Sequence, residues 1–469
     1  MSSRALVWFR RDLRVHDNPA LTVAHRSFDE IVPVFVIDRR LILGAYPSGP
    51  RTAFLLESLA ELRRALRERG GELVVRDGRP EEELPALAAE LAASTIFLAR
   101  DVSPFATGRD RRTAEAFKSA GLDLRFMPGT FVIDDVDGPR TGDGRPYTVF
   151  TPYGRKHRDV GRREVLGAPR ALHVPGGLTA GDIPSLDEFG LDRELSEPIQ
   201  SGEKAGRARM HEFLTSQLST YAENHDRLAG GTSELSPYIH FGCVSVRELE
   251  ARAGEQPGQG PEAFVRQLAW RDFYAHVLLH HPTNAHKPFQ PRMEALETHE
   301  DEAAFDAWRE GRTGIPIVDA AMRQLRARGW MHNRARLVVG SFLTKNLHLD
   351  YRLGEAHFMR YLLCGDKAQN NGNWQWVASV GVDPAPAFQR MFNPVRQQER
   401  FDPQGEYVRR WLPELAGVPD AKLAEPWTMT EIDQQMAGCV IGEDYPVPIV
   451  DHKREREIAL ERYRAVPRQ

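Results

Sequence analysis

The feature that most constrains the fold is a change of period about 130 residues into the chain. Before it, short apolar runs (Ala5–Phe9, Ile31–Ile37, Glu72–Val75, Thr95–Ala99 and Leu122–Met127) alternate with Ala/Leu/Glu/Arg-rich stretches. In those stretches, Thr52–Arg69 and Glu81–Ala93, apolar residues such as Leu84, Leu87 and Leu91 recur at helical spacing. Strand and helix in alternation imply a parallel sheet covered by helices. Beyond about residue 200 the pattern is helical, with amphipathic stripes over Phe264–Leu279, Ile317–Arg328, Arg334–Lys345 and Glu355–Leu363. The expected fold class is therefore a Rossmann-like α/β N-terminal domain over residues 1–130 and an all-α C-terminal domain over 201–469. The two are joined by a Gly/Pro/Asp-rich connector over 131–200, broken by a short segment near Thr148–Val160. No GxGxxG follows the first strand and no GxxxxGK[ST] follows any strand, so the usual phosphate loop of such a sheet is absent.

Composition narrows the function classes. At 41% hydrophobic and 27% charged residues, the 469-residue chain reads as a globular protein that can bury a sizeable core. No stretch approaches the ~18 consecutive apolar residues of a membrane span, and the N-terminus has no apolar secretion core. Only Cys243, Cys364 and Cys439 occur, which argues for a reducing, cytoplasmic setting. Three thiols cannot supply an ordinary iron–sulfur cluster. The net charge of −4 gives no global sign of nucleic-acid binding and leaves only a local basic face open.

Four clusters carry chemistry-bearing residues. Asp366, Asn370 and Trp374 are spaced i, i+4, i+8 and share one helix face, which suits a polar aromatic heterocycle. Trp376 lies about 200° further round the helix and must serve another surface. Taken alone, the segment is equally a Trp-rich core helix. Asn333, Arg334 and Arg336 fall within one turn and suit a phosphate or a ring carbonyl, or simply a solvated helix start. Hydroxyls in Gly231–Pro237 (Thr232, Ser233, Ser236) fit an anion site or an ordinary N-cap. Gln267 and Trp270 share a face on which a flat base can stack, or which a core can bury.

Together, in order, these segments are similar to the photolyase/cryptochrome family. The match runs from VWFRRDLRVHDNPAL through TSELSPYIHFG, QLAWRDFY, PIVDAAMRQL, GWMHNRAR and NNGNWQWVAS to FNP and FDPQGEYVRRWLPEL, over residues 3–430. The Asn and the Trp pair of NNGNWQW resemble the bacterial branch that repairs cyclobutane pyrimidine dimers. The resemblance implies blue-light repair of UV-damaged DNA by an electron passed from reduced FAD to a flipped-out dimer, in a monomer without metal. Carried over by position, Tyr221, Thr232, Ser233, Leu235 and Ser236 would hold the FAD phosphates and ribityl chain. Arg271, Asn333, Arg336, Asp366 and Asn370 would line the rest, with Asn370 facing the flavin N5. Trp270 and Trp376 would wall the lesion pocket with Gln267 beside them, and Arg334 and Arg390 would contact DNA phosphates. Arg51 and Asp101 match positions that hold a deazaflavin antenna in some relatives; methenyltetrahydrofolate, a flavin or no antenna are the other options.

Four positions depart from the family pattern. The lesion-binding carboxyl falls at Gln267, the acid that pairs with Arg336 falls at Cys364, and an extra residue in Asp383–Asn393 disturbs the match to Arg390. In the tryptophan chain that photoreduces the flavin, Trp374 matches the proximal member, but the middle one falls at Tyr351 and the distal one near Thr298. Asn370 and an end of the chain near Gln469 favour the repair enzyme. Gln267, Cys364 and Tyr351 favour a cryptochrome-like photoreceptor with weak or no repair. A (6-4) photolyase is disfavoured by Asn333 after His332, where eukaryotic (6-4) enzymes carry a second His.

Overall fold

The computed structural model describes residues 2–467; Gln469, named above as the end of the chain, lies outside them. Its first part is a five-stranded parallel sheet in the order β3-β2-β1-β4-β5. The strands are β1 (Arg4–Phe9), β2 (Glu30–Ile37), β3 (Val74–Asp77), β4 (Thr95–Ala99) and β5 (Asp123–Met127). Crossover helices α1 (Pro19–Ser27), α2 (Gly49–Arg67), α3 (Pro80–Leu91) and α4 (Pro104–Ser119) join them. The inner strands β1, β2 and β4 read as nearly unbroken apolar runs because both faces are covered, whereas the edge strand β5 is largely exposed. Alternate residues divide between two cores: Ala5, Val7 and Phe9 with Ile31, Phe35 and Ile37 on one face, Leu6 and Trp8 with Val32, Val34 and Val36 on the other. The first of these cores does not stop at the sheet. It continues through α2 into Met210, Phe213, Leu235, Phe264 and Leu268 of the helical region, so the sheet and the helices share one apolar interior.

The connector contains α5 (Phe150–Asp159). Its irregular backbone is anchored by Asp272, fully buried, which accepts from the Val132 and Ile133 amides at 3.0 and 3.2 Å and pairs with His157 at 3.2 Å. The helical region that frames the site comprises α6 (Gly202–Ser216), α7 (Gln259–His280), α8 (Glu302–Glu310), α9 (Pro316–Arg328), α10 (Asn333–Lys345), α11 (Tyr351–Tyr361) and α12 (Lys367–Val377), with α13 (His452–Ala465) near its end. The start signals are orthodox. Asp366 caps α12 by accepting from the Gln369 amide at 3.0 Å, and His332 caps α10 through Nδ1. A close approach sets the α7–α12 contact: a Cβ on Gly372 would lie 2.2 Å from the Tyr274 ring.

The segment after β1 takes the place of a phosphate loop and is a clasp. Leu13 donates its amide to Phe241 O at 3.1 Å, Arg14 donates to Gly242 O at 3.0 Å and Arg11 to His240 O at 3.1 Å. Gly242, at φ +70°, is packed so closely that a Cβ would fall 2.0 Å from the Arg11 carbonyl. The clasp therefore holds the C-terminal end of the short helix Ser236–Phe241. The N-terminal end of that helix carries the hydroxyl cluster.

Candidate active site

One cavity of about 460 Å³ opens in the helical region, bounded by α7, α10, α12 and the segment 221–240. It brings together the residues singled out from four separate stretches of sequence. Tyr221, Thr232, Ser233, Leu235 and Ser236 line one side, and Arg271, Asn333, Arg334 and Arg336 flank it. Asp366, Asn370 and Trp374 form the wall contributed by α12, and Gln267, Trp270 and Trp376 complete it. Tyr351, Arg390, Arg51 and Asp101 are not among the lining residues.

The α12 face is built for a polar ring. Asn370 is buried and its amide nitrogen donates to Glu355 O at 2.9 Å, which leaves the amide oxygen for the cavity. Glu355 is itself gripped by Lys367 at 2.6 Å and Asn371 at 3.1 Å, so the Asn370 orientation rests on a fully bonded network. Trp374 sits edge-on to Phe358 and Trp308, with ring centroids 5.0 and 6.2 Å away. Room for its indole comes from Gly354, where a Cβ would fall 2.1 Å from the ring.

The two other indoles are each backed by a flat group. Phe150 of α5 stacks on Trp270 at 3.8 Å with planes 9° apart, and the Arg390 guanidinium lies 4.1 Å over Trp376. Arg390 also donates to Trp376 O at 3.1 Å and to Asp383 O. Its own carbonyl accepts from the buried Lys345 at 2.7 Å. Burial lowers the affinity of both cations for their protons. Arg390 is 2% exposed, and its guanidinium faces the indole and backbone carbonyls rather than solvent, which does not favour the expected phosphate contact. Arg334 is at the cavity wall, but its charge is matched by Asp226 and its guanidinium rests 4.5 Å over Phe401.

Arg51 is committed to Tyr46 O at 2.8 Å and to Met359 O and Leu362 O of the helical region; burial holds its pKa down at about 10. Asp101 caps its own loop at the Val102 and Ser103 amides and faces Arg11 at 3.6 Å. Both side chains contact the junction between sheet and helices. Tyr351 is buried with its phenol unpartnered, and burial raises its pKa.

The junction supplies residues that motif spacing missed. Arg11, from the end of β1, reaches the cavity and pairs with Asp366. Burial pushes the Asp366 carboxyl up, but the Arg11 and Arg271 guanidiniums outweigh it and hold the pKa well below the ordinary range. Burial together with Arg11 keeps His240 neutral, and burial lowers Arg271, which donates to Thr130 O at 2.8 Å. Arg336 has no carboxylate: it donates to Met331 O at 2.9 Å and lies 3.5 Å from the Cys364 sulfur. The Arg336 guanidinium thus faces a thiol where the family pattern has a carboxylate. All three cysteines are free and buried, no helix among the described residues is long and apolar enough to cross a membrane, and no metal-ligating cluster occurs among them.

Known proteins share this arrangement. The family described as the FAD binding domain of DNA photolyase matches residues 264–465, and the family described as DNA photolyase matches residues 5–171. The deoxyribodipyrimidine photo-lyase of Streptomyces griseus is 43% identical over 459 residues, 96% of each chain. Among solved structures, a bacterial class III photolyase from Agrobacterium tumefaciens superposes with a TM-score of 0.92 at 33% identity, covering 99% of this chain and 98% of that one. A cryptochrome of Synechocystis sp. does so with a TM-score of 0.90 at 30% identity, covering 99% of both. With both family descriptions matched and relatives similar along nearly their whole length, the chain belongs to the photolyase/cryptochrome family.

Proposed function

We propose that the protein is a deoxyribodipyrimidine photo-lyase, which repairs cyclobutane pyrimidine dimers in DNA with blue light and bound FAD. The observation that carries the reading is the single cavity in which an acid–amide–indole face meets a hydroxyl cluster on one side and two backed indoles on the other. The residues present fit FAD. The Ser236 hydroxyl, on the side assigned to the FAD phosphates, is buried without a partner and lines the cavity, as does the Trp376 indole N–H on the side assigned to the dimer. Buried polar groups of this kind call for a ligand partner.

When bound, reduced FAD supplies a light-excited electron. The chain does the rest. Thr232, Ser233 and Ser236 offer hydroxyl donors to the phosphates, with Tyr221 and Leu235 closing that side. Asp366 stays ionised and accepts ring or ribityl donors, while Arg271, Asn333 and Arg336 offer donors to carbonyls. Asn370 presents an oxygen that accepts a proton-bearing nitrogen and adds no charge. Trp270 and Trp376 take the dimer between apolar faces; a dimer is poorly stacked in DNA, so extruding it costs less than extruding a normal base. Gln267 donates a hydrogen bond to a pyrimidine carbonyl but cannot share a proton. Arg334 is the candidate phosphate contact. A cytoplasmic monomer fits three buried free thiols. Gln267 and Cys364 are the observations that favour the second reading, a cryptochrome-like photoreceptor with weak repair.

Binding tests the reading. The holoprotein should carry one FAD and hold single-stranded DNA with one thymine dimer at least tenfold more tightly than undamaged DNA. Equal affinity for both strands would favour the photoreceptor.

A further inference from the structure

Resting on the FAD-holding reading, a second question concerns how a flavin left oxidised regains its electron. Trp374 is the indole in the α12 wall, and an indole beside a light-excited oxidised flavin is an electron donor. The positive hole left on Trp374 must leave quickly or it recombines. Tyr351 is a poor next step. Oxidising a phenol normally requires loss of its proton, and the Tyr351 hydroxyl is buried without an acceptor. The aromatic neighbours of Trp374 point elsewhere. Phe358 is hard to oxidise, but Trp308 of α8 meets Trp374 edge-on with centroids 6.2 Å apart.

Trp308 is fully buried and its N–H donates to Val339 O at 3.1 Å. A carbonyl there steadies an indole cation by hydrogen bonding but is too weak a base to take its proton, so the hole stays transferable. Beyond Trp308 lies His357, at 5.5 Å between centroids, and beyond that Tyr361, at 4.9 Å from His357. Burial holds His357 at about 3, so it is a neutral spacer that does not repel a passing hole. Tyr361 is only partly buried, so its phenol can release a proton to water.

We infer that photoreduction runs from Trp374 through Trp308 to Tyr361, bypassing Tyr351. One electron passes from Trp374 to the bound flavin. Trp308 returns an electron to Trp374, and Tyr361 returns one to Trp308 while its phenolic proton goes to solvent. An external thiol then gives a hydrogen atom to the tyrosyl radical and becomes a thiyl radical, which closes the balance.

The test is transient absorption and electron paramagnetic resonance on the oxidised holoprotein under blue light, with deuterated tyrosine to identify the radical. Trp308→Phe should lower the yield of long-lived radical at least tenfold, and Tyr361→Phe should abolish the tyrosyl signal. Tyr351→Phe should stay within twofold of the unmodified protein. Thermal melting of each apoprotein checks folding; should Trp308→Phe not fold, the half-exposed Tyr361→Phe and the Tyr351→Phe comparison decide the matter. Loss of the signal in Tyr351→Phe, or a wild-type tyrosyl signal in Tyr361→Phe, overturns the route. Dimer repair by chemically reduced wild-type protein needs no relay, so failure there counts against the FAD reading and not against the route.

Discussion

At the scale of single residues, the site is legible where its chemistry is local and opaque where it depends on a partner far along the chain. Helical spacing separates Trp376 from Asn370 and Trp374, and the structure places all three on the wall of one cavity, with Asn370 and Trp374 buried and Trp376 partly exposed. Arg390 could not be read that way. Its position follows an irregular stretch, and its burial behind Trp376 depends on Lys345, which no motif contains. Arg390→Gln should therefore loosen Trp376 and weaken dimer binding about tenfold, about 1.4 kcal/mol. The slope of log affinity against log salt should not change, because no phosphate contact is lost. A slope reduced by about 0.7 or more would return Arg390 to the phosphate-binding role. Gln267 lies exposed at the cavity, and Gln267→Glu should raise the repair yield per absorbed photon; an unchanged yield would show that the amide suffices.

At the scale of elements, periodicity located every strand of the sheet and the helices α7, α9, α10 and α11, since the inner strands are apolar on both faces and each of these helices on one. What periodicity cannot show is how closely two elements approach. The α11–α12 contact turns on Gly354, whose missing side chain gives Trp374 its place. Adding a methyl group there overpacks a filled contact, at a cost of about 1–3 kcal/mol. Gly354→Ala should thus shift the denaturation midpoint down and speed release of FAD. A variant that unfolds and retains cofactor like the parent would mean that Trp374 is not confined by α11.

At the scale of the whole molecule, the sheet is part of the site. The clasp after β1, Arg51 and the shared apolar interior hold the helices in register, and Arg11 crosses the junction to Asp366. That contact joins residues more than 350 positions apart, which is why the sequence motif was legible as a family mark but not as a cavity wall. Removing Arg11 leaves a mostly buried carboxylate short of its main partner, a loss on the order of 3 kcal/mol. Arg11→Ala should lower both stability and FAD affinity; a change in neither would confine the junction to packing. Acid should act on the molecule as a whole. Burial holds His276 and His332 at about 4 and His357 at about 3. Between about pH 4 and 6.5 the unfolded chain binds protons that the folded chain refuses, so stability rises with pH across that window and levels off above it. Each of the three histidines costs about 2 kcal/mol at pH 5 relative to pH 7. A denaturant midpoint equal at pH 5 and pH 7 would contradict this.

The central claim is that this cavity, with its amide at position 267 and its thiol at position 364, still splits dimers. It is tested most directly with chemically reduced protein, a single-stranded DNA carrying one defined thymine dimer, and blue light, following restoration of the two thymines. The structure predicts repair that requires both light and reduced FAD and is lost in Trp270→Ala. No restoration under light, with FAD bound and fully reduced, would contradict it.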